Sequence, residues 1–126
     1  MILLFGGAYQ GKLAYAMDRF AFSGDDVYRC TADNAVMPEA KKLICGIDLW
    51  ILALVKADAD AAEAVRRFID ANTTAVVICN DISGGVVPVD PVLRQWRETV
   101  GRSMAALSRA SDEVIRLFCG IPTRLK

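Results

Sequence analysis

Residues Leu3–Ala16 read LLFGGAYQGKLAYA: an apolar run, a glycine-rich segment with one lysine, then the opening of an apolar helix. That order decides the fold class. A continuous apolar run such as Met1–Phe5 suits a strand buried on both faces, and Gly6-Gly7 ends it. From Lys12 to Phe22 the spacing of Leu13, Ala16, Met17 and Phe20 predicts a helix, stopped near Ser23-Gly24. Between the two, Gly6, Gly11 and Lys12 fit the pattern Gly-x-x-x-x-Gly-Lys of a phosphate-binding loop. Glycines let successive backbone N–H groups turn inward around phosphate oxygens, the helix adds its positive N-terminal dipole, and the lysine reaches the terminal phosphates. The pattern departs at one place. Where it continues with Ser or Thr, whose hydroxyl ligates Mg²⁺, this chain has Leu13, which cannot ligate a metal.

Working outward, the same alternation continues. Strands are predicted at DDVYRCT, KKLICG, TAVVICN and DEVIRLFCG, with one helical turn at Pro38. Asp48 is read as the N-cap of a helix DLWILALV that is apolar on every side, which requires sandwiching between layers or subunits. ADADAAEAVRRFIDAN is an amphipathic helix burying Ala61, Ala64, Val65, Phe68 and Ile69. After the glycine-rich excursion DISGGVVPVD, Asp90 caps and Pro91 opens a long helix to about Ala110. IPTRLK closes the sequence as a basic tail. Strands too apolar to face water, alternating with helices, argue a mostly parallel sheet covered on both faces, hence a three-layer α/β fold.

Composition narrows the partners. At 126 residues the chain fits one domain, residues 1–126. Lys+Arg and Asp+Glu are both 15, so there is no global basic field for nucleic acid and no polybasic tail for a membrane. The longest apolar stretch, Leu43–Val55, contains Asp48 and is shorter than the ~18 residues that span a bilayer. Without a basic leader and small-residue cleavage site, the expected location is cytoplasmic. An apolar content of 54% with mean hydropathy +0.31 points to a homo-oligomer covering part of that surface. Cys30, Cys45, Cys79 and Cys119 have no metal-ligand spacing and histidine is absent, so all four are expected as buried structural thiols, each near a strand end.

The carboxyl half carries a resemblance. From Cys79 to Lys126, Asn80, Gly85, Pro88, Trp96-Arg97-Glu98, Gly101 and the closing Gly120-Ile121-Pro122-Thr123-Arg124-Leu125-Lys126 stand where a known family has SNEVG-x-G-x-VP, FRD-x-x-G-x-x-N and GxPxRLK. The opening LFGGAYQGK is similar to that family's TGGARSGKS. The sequence thus resembles the bifunctional adenosylcobinamide kinase / adenosylcobinamide-phosphate guanylyltransferase family of cobalamin biosynthesis. The resemblance implies a P-loop NTPase-like fold, with ATP or GTP bound by Gly6, Gly7, Ala8, Tyr9, Gln10, Gly11, Lys12 and Leu13. It also implies a propeller-like trimer, phosphorylation of a corrinoid side-chain hydroxyl, and guanylyl transfer through a histidine-bound GMP.

Four departures fall on the chemistry. The chain has no histidine, so the guanylylated nucleophile is missing. Leu13 replaces the loop Ser. The family's VDCLTLW appears as ICGIDLW, which puts Cys45 where the metal-side Asp stands and leaves Asp48 three residues on. The family's Asn-Glu pair is Asn80-Asp81, one methylene shorter. Both Mg²⁺ anchors are therefore replaced, and with them much of the charge stabilisation on which phosphoryl transfer depends. Lys12 and Asp81 remain as the catalytic candidates, and no residue is assigned to a metal. The reading is a nucleotide-binding relative with guanylyl transfer lost and kinase activity weak or lost. Two alternatives stand beside it. One is an ATP/GTP-dependent adenosylcobinamide kinase without guanylyl transfer; the other is a structural subunit that joins a complete paralogue through its Leu49–Val55 face.

Overall fold

The computed structural model describes residues 1–126. Ten regular elements follow one another: β1 (Ile2–Gly6), α1 (Lys12–Phe20), β2 (Val27–Arg29), β3 (Leu43–Cys45), α2 (Ile47–Lys56), α3 (Ala61–Ala71), β4 (Val76–Asn80), α4 (Pro91–Ala110), β5 (Glu113–Phe118) and β6 (Ile121–Arg124). They form one six-stranded sheet in the order β2-β3-β4-β1-β5-β6, parallel except for the β5–β6 hairpin. This α/β architecture matches the expected mostly parallel sheet between helical layers and is consistent with a P-loop NTPase-like fold.

Strand period places alternate residues on opposite faces. Leu3, Ile44, Val77, Cys79 and Val114 face a core completed by α2, α3 and α4, with Trp50, Ile51, Phe68 and Leu107 buried there. Leu4, Leu43, Ile78, Ile115 and Leu117 face the other way, where α1 lays Ala16 on them. The all-round apolar character of α2 now has its reason. It lies between the sheet and α3 with α4, so Ile51 to Val55 are buried by the chain itself. That corrects the expectation that the Leu49–Val55 face is free for a paralogue.

Several local expectations also change. α1 stops at Phe20 rather than Phe22, because Ala21 takes a left-handed conformation (φ 52°) whose N–H turns back on Asp18 and Met17 carbonyls. The segment before β2 contains one turn of 3₁₀ helix, Gly24–Asp26. No helical turn forms at Pro38. The basic tail is a strand, β6, paired antiparallel so that Phe118 faces Ile121 across the tight turn at Cys119-Gly120. Asp90 caps α4 as expected, accepting a hydrogen bond from the Val92 N–H, and Asp60, not singled out from the sequence, caps α3 by accepting from the Glu63 N–H.

Candidate functional site

The glycine loop sits at the carboxyl edge of the parallel strands, between β1 and α1, where open α/β sheets receive their ligands. Gly6 has no alternative at its position. With φ 154°, a Cβ there would lie 2.2 Å from the Leu117 carbonyl oxygen of β5. Tyr9 (φ 57°) and Gly11 (φ 83°) both adopt left-handed backbone, the kind of alternation that turns consecutive N–H groups into one concavity. Gly11 is the N-cap of α1, so the helix begins at the rim of that concavity with no side chain over its first N–H groups.

The loop is held from outside and inside. From outside, the β5–β6 turn grips Gln10: the Cys119 N–H donates to Gln10 Oε1, and the Gly120 N–H donates to the Gln10 carbonyl at 3.2 Å. From inside, Lys12 Nζ donates to the Gly6 carbonyl at 3.1 Å and the Gly7 carbonyl at 2.5 Å. Lys12 is only 6% exposed. Burial lowers its pKa, while the Asp48 charge, followed by Cys45 and Cys79, acts in the opposite direction. A cleft of about 480 Å³ opens above, lined by Tyr9, Gln10, Gly11, Lys12, Leu13 and Ala14 from the loop and α1. Its other wall is Cys45, Gly46, Ile78 and Asn80, from the ends of β3 and β4.

Most loop residues named from the sequence thus meet around one cleft. Asp81 does not line it. It follows β4 and borders a neighbouring cavity of about 220 Å³ with Phe5, Ser83, Arg97 and Met104. Its Oδ1 accepts from Ser83 Oγ at 2.6 Å and from Ser83 N–H at 3.0 Å, bonds that hold its pKa below the usual carboxylate value. Sequence reasoning did not assign Cys45, Gly46, Ile78 or Asn80 to the site, although the rule that ligands gather at carboxyl strand ends pointed to the tips of β3 and β4.

Asp48 is a second correction. Gly46, left-handed at φ 81°, caps α2, and Asp48 lies inside the first turn, 2% exposed. Its two carboxylate oxygens accept the Asn80 backbone N–H at 3.0 Å and the Asn80 Nδ2–H at 3.1 Å. The cysteines separate as well. Cys30 and Cys79 are buried on the α2/α4 face, Cys45 lines the cleft half-buried, and Cys119 is exposed on the β5–β6 turn because hairpin geometry throws it outward. Burial pushes the Cys30 thiol up to about 12 and the Cys79 and Cys45 thiols upward, so none is a thiolate at neutral pH.

The family described as cobinamide kinase / cobinamide phosphate guanyltransferase matches residues 34–125, most of the chain. This chain belongs to that family. No curated protein matches it. The cobinamide kinase / cobinamide phosphate guanyltransferase match runs from the segment before β3 through β6, and so covers the strand-tip wall of the cleft.

The donor set around the cleft does not suit the Mg²⁺ that the family resemblance implies. Leu13 offers no oxygen, Cys45 is a protonated thiol, each Asp48 oxygen already accepts a hydrogen bond from Asn80, and no carboxylate lines the cleft, where the Asn80 amide offers only a neutral oxygen. No group of three or more His, Cys, Asp or Glu residues could hold a metal ion. Mg²⁺ prefers near-octahedral oxygen ligation and usually takes at least one protein oxygen beside the phosphates. No helix is long and apolar enough to cross a membrane.

Proposed function

We propose that this member of the family binds a nucleoside triphosphate, GTP or ATP, with its phosphates in the cradle from Gly6 to Leu13, and has lost guanylyl transfer. We read residues 1–126 as one nucleotide-binding domain. The observation that carries this is the left-handed pairing of Tyr9 and Gly11 around a concavity whose only buried cation is Lys12. On binding, Lys12 Nζ exchanges the Gly6 and Gly7 carbonyls for phosphate oxygens, and the N–H groups at the start of α1 take the remaining charge. The absence of histidine removes the nucleophile through which the family resemblance routes guanylyl transfer. Loss of both metal anchors leaves phosphoryl transfer weak or absent.

A second reading, residual phosphorylation of cobinamide, is favoured by Asp81: ionised, one residue beyond the Asn80 wall, with Oδ2 free to take a proton from an acceptor hydroxyl. The resemblance adds a trimeric assembly to this proposal. Calorimetric titration with GTP and ATP, with Mg²⁺ and again with EDTA, tests it. Binding of similar affinity in both conditions supports the metal-independent cradle. Binding that Mg²⁺ strengthens tenfold or more moves residual kinase activity to first place, and no binding rejects the nucleotide reading.

A further inference from the structure

Asp48 makes a contact set that a core carboxylate does not need for packing. It is buried in the first turn of α2, and three donors from two other elements converge on it. Asn80, at the tip of β4, gives it the backbone N–H and one Nδ2–H, at 3.0 and 3.1 Å. Trp96 of α4 donates its indole N–H to the Asp48 carbonyl at 2.7 Å. A carboxylate with these partners only accepts, so it settles which end of the Asn80 amide faces it: the nitrogen. The amide oxygen is turned away.

That oxygen is available. It has no hydrogen-bond partner in the protein, yet no buried side-chain oxygen or nitrogen is left unsatisfied, so it reaches solvent-accessible space. The space beside Asn80 is of two kinds, because Asn80 borders both the 480 Å³ cleft of the glycine loop and the 220 Å³ cavity of Phe5, Asp81 and Arg97. Asn80 is also in register with Gly6, whose carbonyl accepts from Lys12 Nζ and from the Asp81 N–H at 2.8 Å. It therefore stands at the phosphate end of the cleft, as the wall between the two spaces. An exposed carbonyl oxygen there repels phosphate and attracts a proton donor.

We propose that Asp48 is a positioning residue: by taking both N–H donors of Asn80 it turns the Asn80 amide oxygen outward to accept the hydroxyl proton of a second ligand, an alcohol placed beside the nucleotide phosphates. This rests on the reading of the cleft as a nucleotide site, and it adds where the hydroxyl-bearing ligand of the same site is held. Asp48 contributes in a second way, since its charge opposes the loss of the Lys12 proton that burial favours. Asp48 stands where the resembling family has Thr, so the clasp is a feature of this chain.

The test uses cobinamide, the alcohol-bearing ligand in the family's description, titrated into the full chain with and without GTP, alongside cobinamide acetylated on its hydroxyl. Asp48→Asn sets a donor against a donor and lets the Asn80 amide reverse. The expected result is a loss of at least tenfold in cobinamide affinity, larger than any change in GTP affinity, with acetylated cobinamide unaffected. Because Asp48→Asn also loosens the fold, the swap Asp48→Asn/Asn80→Asp is the second variant. It restores both hydrogen bonds, the backbone N–H of position 80 still donating and only the side-chain pair reversed in direction, and again presents an acceptor to the cavity, so the urea midpoint should be regained and cobinamide affinity should return to within threefold of the original. Equal losses for cobinamide and its acetylated form overturn the proposal, as does a swap that recovers stability without affinity. Unaltered protein that binds GTP but not cobinamide overturns it while leaving the nucleotide reading standing. Absence of GTP binding rejects that reading, and the cobinamide titration without GTP then decides this one by itself.

Discussion

Gly6 and Lys12 show how much a single residue decides here. The Gly6 backbone passes so close to β5 that any Cβ overlaps the Leu117 carbonyl oxygen, at a φ that L side chains rarely adopt. Overpacking and backbone strain together should make Gly6→Ala cost about 3 kcal/mol, read as a fall in the urea midpoint with unchanged m-value. Lys12→Ala should act on binding instead. Losing one charge-assisted contact to phosphate is worth about 1.5–3 kcal/mol, so GTP or ATP affinity should drop by roughly ten- to a hundredfold in calorimetry. Both residues were legible as parts of one glycine-rich loop between strand and helix, since glycine spacing and a following lysine are local facts. The role of Asp48 was not. Asp before an apolar run reads as an N-cap, and only the approach of β4 shows that its partner is Asn80, across the sheet edge.

At the scale of elements, capping and stapling shape the rim of the site. α4 opens with Asp90 accepting from Val92 N–H and Pro91 at its first position, so Asp90→Ala should lower stability by about 1 kcal/mol in chemical denaturation and leave nucleotide binding unchanged. Its next turns carry Arg94 and Arg97. Arg97 donates to the carbonyls of Ser83, Gly85 and Val86, while Arg94 reaches those of Pro88 and Val89. These two guanidiniums take up the backbone of an excursion that has no ladder of its own, and they leave Val86 and Val89 facing solvent. The cap of α4 was readable because Asp90 followed two residues later by a free N–H is a one-turn interaction. The strand β6 was not, because charged and proline-containing IPTRLK lacks alternation. It is a strand only because β5 provides an edge and Cys119-Gly120, both at positive φ, allow the turn.

At the scale of the whole molecule, burial governs the thiols. The Cys30 thiol is pushed from its ordinary 9.0 to about 12, by burial first and by Cys45 and Asp48 after it. Unfolded, it ionises near 9; folded, it keeps its proton. The stability it contributes is therefore complete below about pH 9 and drains as the pH rises towards about 12. The unfolding midpoint should hold steady through neutral pH and fall steadily above about pH 9, with a shallower fall in Cys30→Ala. Burial also sets an order of alkylation by iodoacetamide at neutral pH, read by mass spectrometry. Cys119 should react first, Cys45 next and more slowly with nucleotide in the cleft, and Cys30 and Cys79 only on unfolding. By itself, the sequence determined the alternation of strands and helices, the spacing of glycines and lysine in the first loop, the Asp90 cap and the absence of histidine. Each of these rests on neighbours along the chain, where apolar period, cap spacing and composition act. The tertiary structure alone decided that α2 is sandwiched within the chain, that the β5–β6 turn grips Gln10, and that Asp48 orients Asn80. Those outcomes depend on which distant strand ends the sheet order brings together, and no local pattern encodes that order.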